Sequence, residues 1–254
     1  MLSVITPAFN AERFLLETLD SVASLTIPHE HVVVDDGSTD GTAEMLRTRR
    51  DPRLVWKSQR NRGQAGAVNT GLELSQGDLL AWLNADDTYV AENVDMAVSL
   101  LRADASIDAV FGFMDVVDKD GRVIKHHRCG PFLWTRYLYF GGYLPTPTII
   151  LRRSLLSRAP RLNERYEHAS DYDFYLRLLR GAKVRRVRRP LVRFRYHPTS
   201  KTAASGSQMR QEGLEIQQRY ARNHAERRLM VATNWATELR NSIFPPWPGL
   251  QSQG

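Results

Sequence analysis

Two short apolar runs in this chain end in acids. His31-Val32-Val33-Val34 leads into Asp35-Asp36-Gly37-Ser38, and Leu79-Leu80-Ala81-Trp82-Leu83 leads into Asn84-Ala85-Asp86-Asp87. Continuous apolar runs suit strands of a parallel sheet buried on both faces, and open α/β folds bind ligands just beyond the strand ends. Carboxylates gathered there suit a divalent cation and a nucleotide. Asp36 can accept the N–H of a base or bind ribose hydroxyls, Gly37 permits the sharp turn, and Ser38 can hydrogen-bond backbone in that turn. Asn84 and Asp86 place oxygen ligands at alternate positions, and Asp86 can bind Mg²⁺ or Mn²⁺, which prefer carboxylate, water and phosphate oxygens. Each motif taken alone also reads as a βα loop with a helix cap.

Three further segments carry candidate chemistry. Ser170-Asp171-Tyr172-Asp173 opens a helical pattern and offers Asp171 as a general base for an acceptor hydroxyl, with helix capping by Ser170 as the plainer reading. His197 follows a strand-like run and precedes a polar stretch with Ser200 and Lys201; its neutral imidazole suits a metal, while Lys201 or Arg195 suits a phosphate. Asn61-Arg62-Gly63-Gln64-Ala65-Gly66 is glycine-bearing, and its small residues serve either close approach to a nucleotide or helix–sheet packing. Neither Gly-x-Gly-x-x-Gly after the first strand nor Gly-x-x-x-x-Gly-Lys-Ser/Thr occurs, which removes dehydrogenase and P-loop readings.

The elements that must position these residues alternate in the first half. Strands are expected over Leu2 to Ile5, His31 to Val34, Arg53 to Trp56 and Leu79 to Leu83. Helices are expected over Ala11 to Leu25, through Ala43, Met45 and Leu46 with Thr39 or Asp40 as cap, over Gln64 to Leu74 and over Ala91 to Leu101. Repeated βα units imply a parallel sheet with right-handed crossovers. Ala109 to Val117 and Arg122 to Lys125, around Lys119-Asp120-Gly121, form an expected antiparallel hairpin. Pro131 to Pro147 reads as irregular surface shaping a cleft, Ser170 to Leu179 as a helix, and Val184 to Val187 and Leu191 to Tyr196 as two short strands. Thr199 to Ser207 is polar, with the character of a lid. Gln208 to Leu239 is a long Arg-rich helical pattern, and Phe244-Pro245-Pro246-Trp247-Pro248 cannot be helical.

Composition fits a chain of this length folding as one main domain. Of 254 residues, 42% are hydrophobic and 25% charged, and no apolar run approaches a membrane span. The start lacks a basic leader, so a cytoplasmic location is expected. Single Cys129 excludes an internal disulfide. The net charge is +7, yet residues 177–228 hold 15 Lys or Arg against 3 Glu, a basic surface for nucleic acid, anionic lipid or a phosphorylated substrate.

Together these residues resemble the inverting family-2 glycosyltransferases, whose nucleotide-sugar-binding fold is GT-A. The likeness covers about residues 1 to 200. It rests on an ordered set: Val4-Ile5-Thr6-Pro7-Ala8-Phe9-Asn10, Val34-Asp35-Asp36-Gly37-Ser38-Thr39-Asp40, Asn61-Arg62-Gly63, Leu83-Asn84-Ala85-Asp86-Asp87, Ser170-Asp171-Tyr172-Asp173 and Tyr196-His197-Pro198. The resemblance implies an α/β, Rossmann-like, mostly parallel central sheet flanked by helices, with a small antiparallel addition and a C-terminal helical extension. Residues 1–204 would form the GT-A domain, with 1–105 its nucleotide-binding half and 106–204 its acceptor and catalytic half. Residues 205–254 would be a basic helical extension.

By the same likeness, Thr6, Pro7, Ala8 and Phe9 line the nucleotide together with Asp36, Ser38, Asn61, Arg62, Gly63, Asn84 and Ala85, and Phe9 stands where the family usually has Tyr. Asp86 and His197 hold Mn²⁺ or Mg²⁺, Asp171 is the catalytic base, and Arg195 and Lys201 attend the diphosphate or form a lid. Asn84 replaces the first acid of the commoner Asp-Ala-Asp-Asp form, and Ser170 replaces the Glu that commonly precedes the base. The implied reaction moves a sugar from a nucleoside-diphosphate sugar, UDP or dTDP first, to a hydroxyl of a glycan or lipid-linked acceptor with inversion, in cell-surface polysaccharide or glycolipid assembly. Leu229, Met230, Trp235 and Trp247 with their basic neighbours are expected to allow peripheral contact at the inner membrane face. A binding module that holds RNA or an anionic surface, and a nucleotidyltransferase, are the rival classes. Aromatic residues are sparse in the Arg-rich segment, which argues against nucleic acid. The loop Thr6 to Asn10 lacks the Gly and Arg/Lys that a triphosphate needs.

Overall fold

A computed structural model describes residues 1–140, 144–197, 206–221, 223–228 and 230–233. Its organising element is β1 (Leu2–Ala8), buried at every position as a central strand covered on both faces must be. β2 (His29–Asp35), also buried throughout, pairs parallel with β1, and β3 (Leu54–Ser58) continues the parallel set on the far side. β4 (Leu79–Trp82) lies parallel to β1 on its other side. Between these strands run α1 (Leu15–Ala23), α2 (Thr42–Thr48) and α3 (Gly63–Leu74). Leu15, Leu19 and Val22 bury one face of α1. In α3, Gly71 is required by packing, because a Cβ there would stand 2.4 Å from the Ile5 side chain of β1.

The second half departs from simple alternation. After β5 (Thr88–Tyr89) and α4 (Ala91–Ala103), β6 (Ala109–Val117) and β7 (Val123–His127) form the expected hairpin, closed at Gly121 with φ of +82°. α5 (Trp134–Phe140) stands where an irregular surface was expected; Tyr137 and Leu138 are buried and pull the aromatic-rich segment into a helical turn. β8 (Ile150–Arg152) and β5 are too short to show a period. The two short strands expected around Pro190 are one strand, β9 (Val184–Arg195), whose register against β6 shifts near Phe113 opposite Pro190. The sheet has nine strands in the order β3-β2-β1-β4-β8-β6-β9-β5, with β7 paired to β6. β8 is antiparallel to both β4 and β6, and β6–β9 is again parallel.

Two further helices complete the described residues that bear on the site. α6 (Ser170–Leu178) buries Tyr172, Phe174, Tyr175, Leu176 and Leu178, and α7 (Gly206–Arg219) packs on it, with Ile216 fully buried in the same apolar cluster. Lys201, Leu229, Trp235, Trp247 and most of the polar stretch after His197 lie outside the described residues, and Met230, expected at a membrane face, is instead fully buried in the apolar cluster. No described helix is long and apolar enough to cross a membrane.

Candidate active site

The loops that leave β1 and β2 are tied to each other by reciprocal hydrogen bonds. Asn10 takes φ of +49°, a strained value for a residue with a side chain. Its N–H donates to Ser38 Oγ at 2.9 Å, and its Oδ1 accepts from the Thr39 N–H at 2.8 Å. The Glu12 N–H donates to Asp40, the Glu12 carboxylate accepts from the Gly41 N–H, and the Ala11 N–H donates to Thr42 Oγ1. Asp40, expected as the cap of α2, sits one residue before the capping Gly41 and accepts the Thr42 N–H at 3.0 Å. Phe9 stands at the crest of this knot, 51% exposed. Pro7 and Ala8 are the last buried residues of β1, and Ala8 shares an apolar cluster with Ala85 beneath the loops. Thr6 is spoken for inside the sheet, since its hydroxyl bonds to His31 Nε2 at 2.9 Å and it has no exposed surface.

Asp36 is buried and held by the neighbouring turn. Its Oδ1 accepts from Gln59 Nε2 at 2.7 Å and from the Arg62 N–H at 3.0 Å, and Oδ2 accepts from the same N–H at 3.2 Å. The Asn61 side chain closes the turn on the Gly63 N–H, and Gly63 has φ of +74°. Arg62 contributes its backbone to Asp36 while its guanidinium grips both oxygens of Glu164 at 2.9 Å. Asp35 faces the turn framework, accepting from Ser38 N–H and Ser58 Oγ.

At the end of β4, Asn84 Oδ1 accepts from Trp82 Nε1 and Gln64 Nε2, both at 3.0 Å. Its amide nitrogen donates to Asp87 Oδ2 at 3.2 Å. Asp87 is fully buried; burial first, and the Asp86 charge second, hold its carboxyl well above the usual carboxylate range. It accepts the Arg195 N–H at 2.9 Å and so ties the end of β9 to the end of β4. Across that junction Asp86 Oδ2 and His197 Nε2 stand 3.1 Å apart, with side chains 29% and 12% exposed. Strand ends far apart in sequence thus bring one carboxylate and one imidazole to a single point.

Arg195, expected at a diphosphate, is a buried clamp. Its Nε donates to the Asp86 carbonyl at 3.1 Å, one terminal nitrogen to the Lys119 carbonyl at 3.0 Å, and the other to Glu17 at 2.5 Å, with its guanidinium over the Phe14 ring. That same ring lies 5.1 Å from the His197 imidazole. A guanidinium satisfied on three sides and only 3% exposed ties the Asp86 backbone to the Lys119 turn and to α1. The sequence signals cationic charge at this position but cannot signal the backbone carbonyls that surround it.

Asp171 sits in the first turn of α6. Its Oδ1 accepts the Tyr172 N–H at 2.8 Å, and its Oδ2 accepts Thr146 Oγ1 at 3.1 Å from a short 3₁₀ turn, Thr146–Thr148. That turn packs against β4, β6 and β9 and so links Asp171 to the sheet. The Tyr172 hydroxyl donates to the Leu138 carbonyl of α5, and burial raises the phenol pKa of Tyr175 one turn further on, with the Asp171 charge second. Ser170 is the first helical residue; the cap position belongs to Ala169, which has no capping side chain of its own. Glu212 of α7 accepts instead from the N–H groups just ahead of the helix, the last of them that of Ala169 itself, a contact that no local sequence signal announces.

Among the described residues no three His, Cys, Asp or Glu side chains converge on one point. Asp86 and His197 alone fit a cation such as Mg²⁺ or Mn²⁺ that keeps several waters and takes its remaining oxygens from a substrate phosphate.

Comparison with known proteins places this arrangement. The chain matches the family described as Glycosyl transferase family 2 over residues 3–188. Chondroitin synthase of Escherichia coli is 30% identical over 186 residues, which is 70% of this chain and 26% of that protein. The first curated relatives are all much longer, and the matched region spans 26% to 34% of their length. Among solved structures, S. aureus TarS 1-349 in complex with UDP-GlcNAc aligns with a TM-score of 0.73 at 21% identity, over 96% of this chain and 73% of that one. The mannosyltransferase PcManGT from Pyrobaculum calidifontis, in complex with GDP-Man and Mn²⁺, aligns with a TM-score of 0.64 at 21% identity, over 97% of this chain and 76% of that one. The shared architecture is the GT-A fold, and with the family match covering most of its length, this chain belongs to glycosyl transferase family 2.

Proposed function

We propose that this chain transfers a sugar from a nucleoside-diphosphate sugar to an acceptor hydroxyl, with inversion and with the aid of a divalent cation. The observation that carries the reading is the meeting of Asp86 and His197, 3.1 Å apart, at the sheet edge where the β1 and β2 loops converge. Asp36 receives the base N–H, Phe9 offers a ring face at the mouth of the site, and Ser38, Asn61, Gly63, Asn84 and Ala85 shape the pocket floor and its turns. Thr6, Pro7 and Ala8 contribute through the backbone that delivers Phe9. Arg62 acts through its N–H on Asp36. Lys201 is assigned to the diphosphate from its place in the sequence.

Asp86 and His197 would hold Mn²⁺ or Mg²⁺, which when bound compensates the charge that a departing diphosphate gathers. Asp171, oriented by Thr146 and by its own helix N-terminus, takes the proton of the acceptor hydroxyl. The freed oxygen forms a bond to the anomeric carbon as the bond from that carbon to the diphosphate breaks, and nucleoside diphosphate leaves. The donor class is a UDP- or dTDP-sugar, whose bases present to Asp36 an N–H that cytosine lacks, in keeping with the likeness to TarS in complex with UDP-GlcNAc. A glycan or lipid-linked acceptor is proposed, consistent with a chondroitin synthase and a UDP-Glc:alpha-D-GlcNAc-diphosphoundecaprenol beta-1,3-glucosyltransferase among the relatives. Work at the inner face of a membrane, through the basic C-terminal third, belongs to the same reading. So does the division into a donor half, an acceptor half and a C-terminal extension.

Calorimetric titration of UDP, dTDP and GDP with and without Mn²⁺ tests this. One nucleotide should bind, and more tightly with the metal. No binding of any of the three under both conditions would overturn the reading. Product analysis separates the rival enzyme class, since a glycosyltransferase releases nucleoside diphosphate and a nucleotidyltransferase releases pyrophosphate.

A further inference from the structure

The turn that carries Asp171 is held from outside its own helix. Glu212 of α7 accepts the N–H groups of Glu167 at 3.1 Å and of His168 and Ala169 at 2.8 Å each, three consecutive donors that lead directly into α6. Such a run of backbone N–H groups forms a concave anion site, and it coincides here with the positive end of the α6 dipole. Nothing in the turn itself replaces that carboxylate: Ala169 at the cap has no acceptor, and Ser170 is inside the helix. α7 is fixed in turn by burial of Ile216 and Gln217, by Tyr166 hydroxyl donation to Glu215, and by Arg219 stacked over the Tyr166 ring. The Tyr166 contacts and the carboxylate therefore act on one short segment, 166–169, that ends two residues before Asp171.

Resting on the transferase reading above, we propose that Glu212 is a positioning residue for Asp171. On this account α7 completes the acceptor side of the site rather than forming a separate appendage. Glu212 touches no substrate. It sets the pitch at which α6 presents Asp171 toward Thr146 and the sheet edge, so its loss moves the base while leaving Asp36, Asp86 and His197 where they are. Transfer reactions are sensitive to that error, since a displacement of about 1 Å costs on the order of 100-fold in rate.

The test uses the full chain with Glu212→Ala and Glu212→Gln. Hydrogen exchange should show faster exchange at the amides of residues 167–171 in both variants, more so in Glu212→Ala. Transfer kinetics should show kcat lower by about 10- to 100-fold in Glu212→Ala, with a smaller loss in Glu212→Gln, which keeps one acceptor oxygen, and with KM for the donor unchanged. A merely structural role would lower the amount of folded enzyme without separating kcat from donor KM and without grading by the acceptor retained. Should Glu212→Ala fail to fold, Glu212→Gln carries the same comparison. Wild-type kcat in a folded variant, or unchanged protection of residues 167–171, overturns the proposal. Failure of the transferase reading looks different: the wild type itself then transfers no sugar and binds no nucleotide, while the exchange measurement still decides whether Glu212 orders the turn.

Discussion

Asp36 and Asp171, the two carboxylates at the centre of the proposed chemistry, are held in opposite ways. Asp36 is bonded directly by groups of the next βα unit, Gln59 and the Arg62 N–H, in a loop system knotted by Asn10, Ser38, Glu12 and Gly41, all within the first half of the chain. Asp171 is held from the second half: Thr146 reaches it from a 3₁₀ turn, and Glu212 of α7 holds the segment that leads into its helix. The difference separates a donor side whose carboxylate is bonded within the first half of the chain from an acceptor side that exists only once the second half has packed. Binding of nucleotide and transfer of sugar should therefore be separable by mutation.

Asp171→Asn gives the largest effect. The amide keeps an oxygen for the Tyr172 N–H, and its nitrogen can donate to the Thr146 hydroxyl where Oδ2 accepted, so the fold stands, but it cannot take a proton. Transfer should fall by about 10²- to 10⁴-fold while nucleotide affinity by calorimetry stays at the wild-type value. Near-normal turnover would remove Asp171 from the role and with it the contrast between the two sides.

Asp86→Ala strikes the other side. Nucleotide affinity in the presence of Mn²⁺ should drop by at least about tenfold, and the difference between titrations with and without Mn²⁺ should vanish. Arg195 bonds the carbonyl of Asp86, not its carboxylate, so the β4–β9 junction should survive the change, visible as an unaltered melting temperature. A persisting metal effect would show that the cation is held elsewhere.

The sequence discloses these two sides unequally. In the first half, apolar runs ending in acids mark β2 and β4, α1 and α3 follow from spacing, and Asp36 and Asp86 emerge at strand ends as expected. Boundaries differ mainly by a residue or two, except at β1, which runs three residues further, and α1, which is shorter at both ends. In the second half β8, β5 and α5 are invisible, because three- and two-residue strands have no period and an aromatic, proline-rich stretch does not announce a helix. Arg195 is misleading for a related reason: burial and backbone acceptors decide what a guanidinium does, and neither is written in its neighbours. Glu212 has no local signal at all, since its partners lie 43 to 45 residues away.

His31 allows the donor side to be loosened by acid alone. It is buried in β2 against Thr6, and burial first, then the charges of His29 and Arg49, lower its pKa from 6.5 to about 3, with Asp51 opposing. The folded state thus favours neutral imidazole, while the unfolded chain takes up a proton near pH 6.5. Its contribution is fully present above about pH 6.5 and is lost as pH falls toward the folded value, at about 1.4 kcal/mol per pH unit, or about 2 kcal/mol by pH 5. Urea denaturation at pH 7 and pH 5 should show that loss in the wild type and a smaller one in His31→Gln, which cannot ionise. Equal losses in the two proteins would place the acid sensitivity outside β2.

The smallest effect tests the bridge between the halves. Arg62 and Glu164 are 50% and 32% exposed, so their ion pair should couple by only about 0.2–1 kcal/mol in a double-mutant cycle read by melting, and less in high salt. What matters more is what Arg62→Ala does to nucleotide affinity. Asp36 is served by the Arg62 N–H, which alanine retains, so affinity should be unchanged. A drop of about tenfold would mean instead that the guanidinium leaves Glu164 for the donor phosphates when the site fills. In that case Glu164 would be a placeholder for the substrate, and the donor side would be less complete before binding than its dense hydrogen bonding implies.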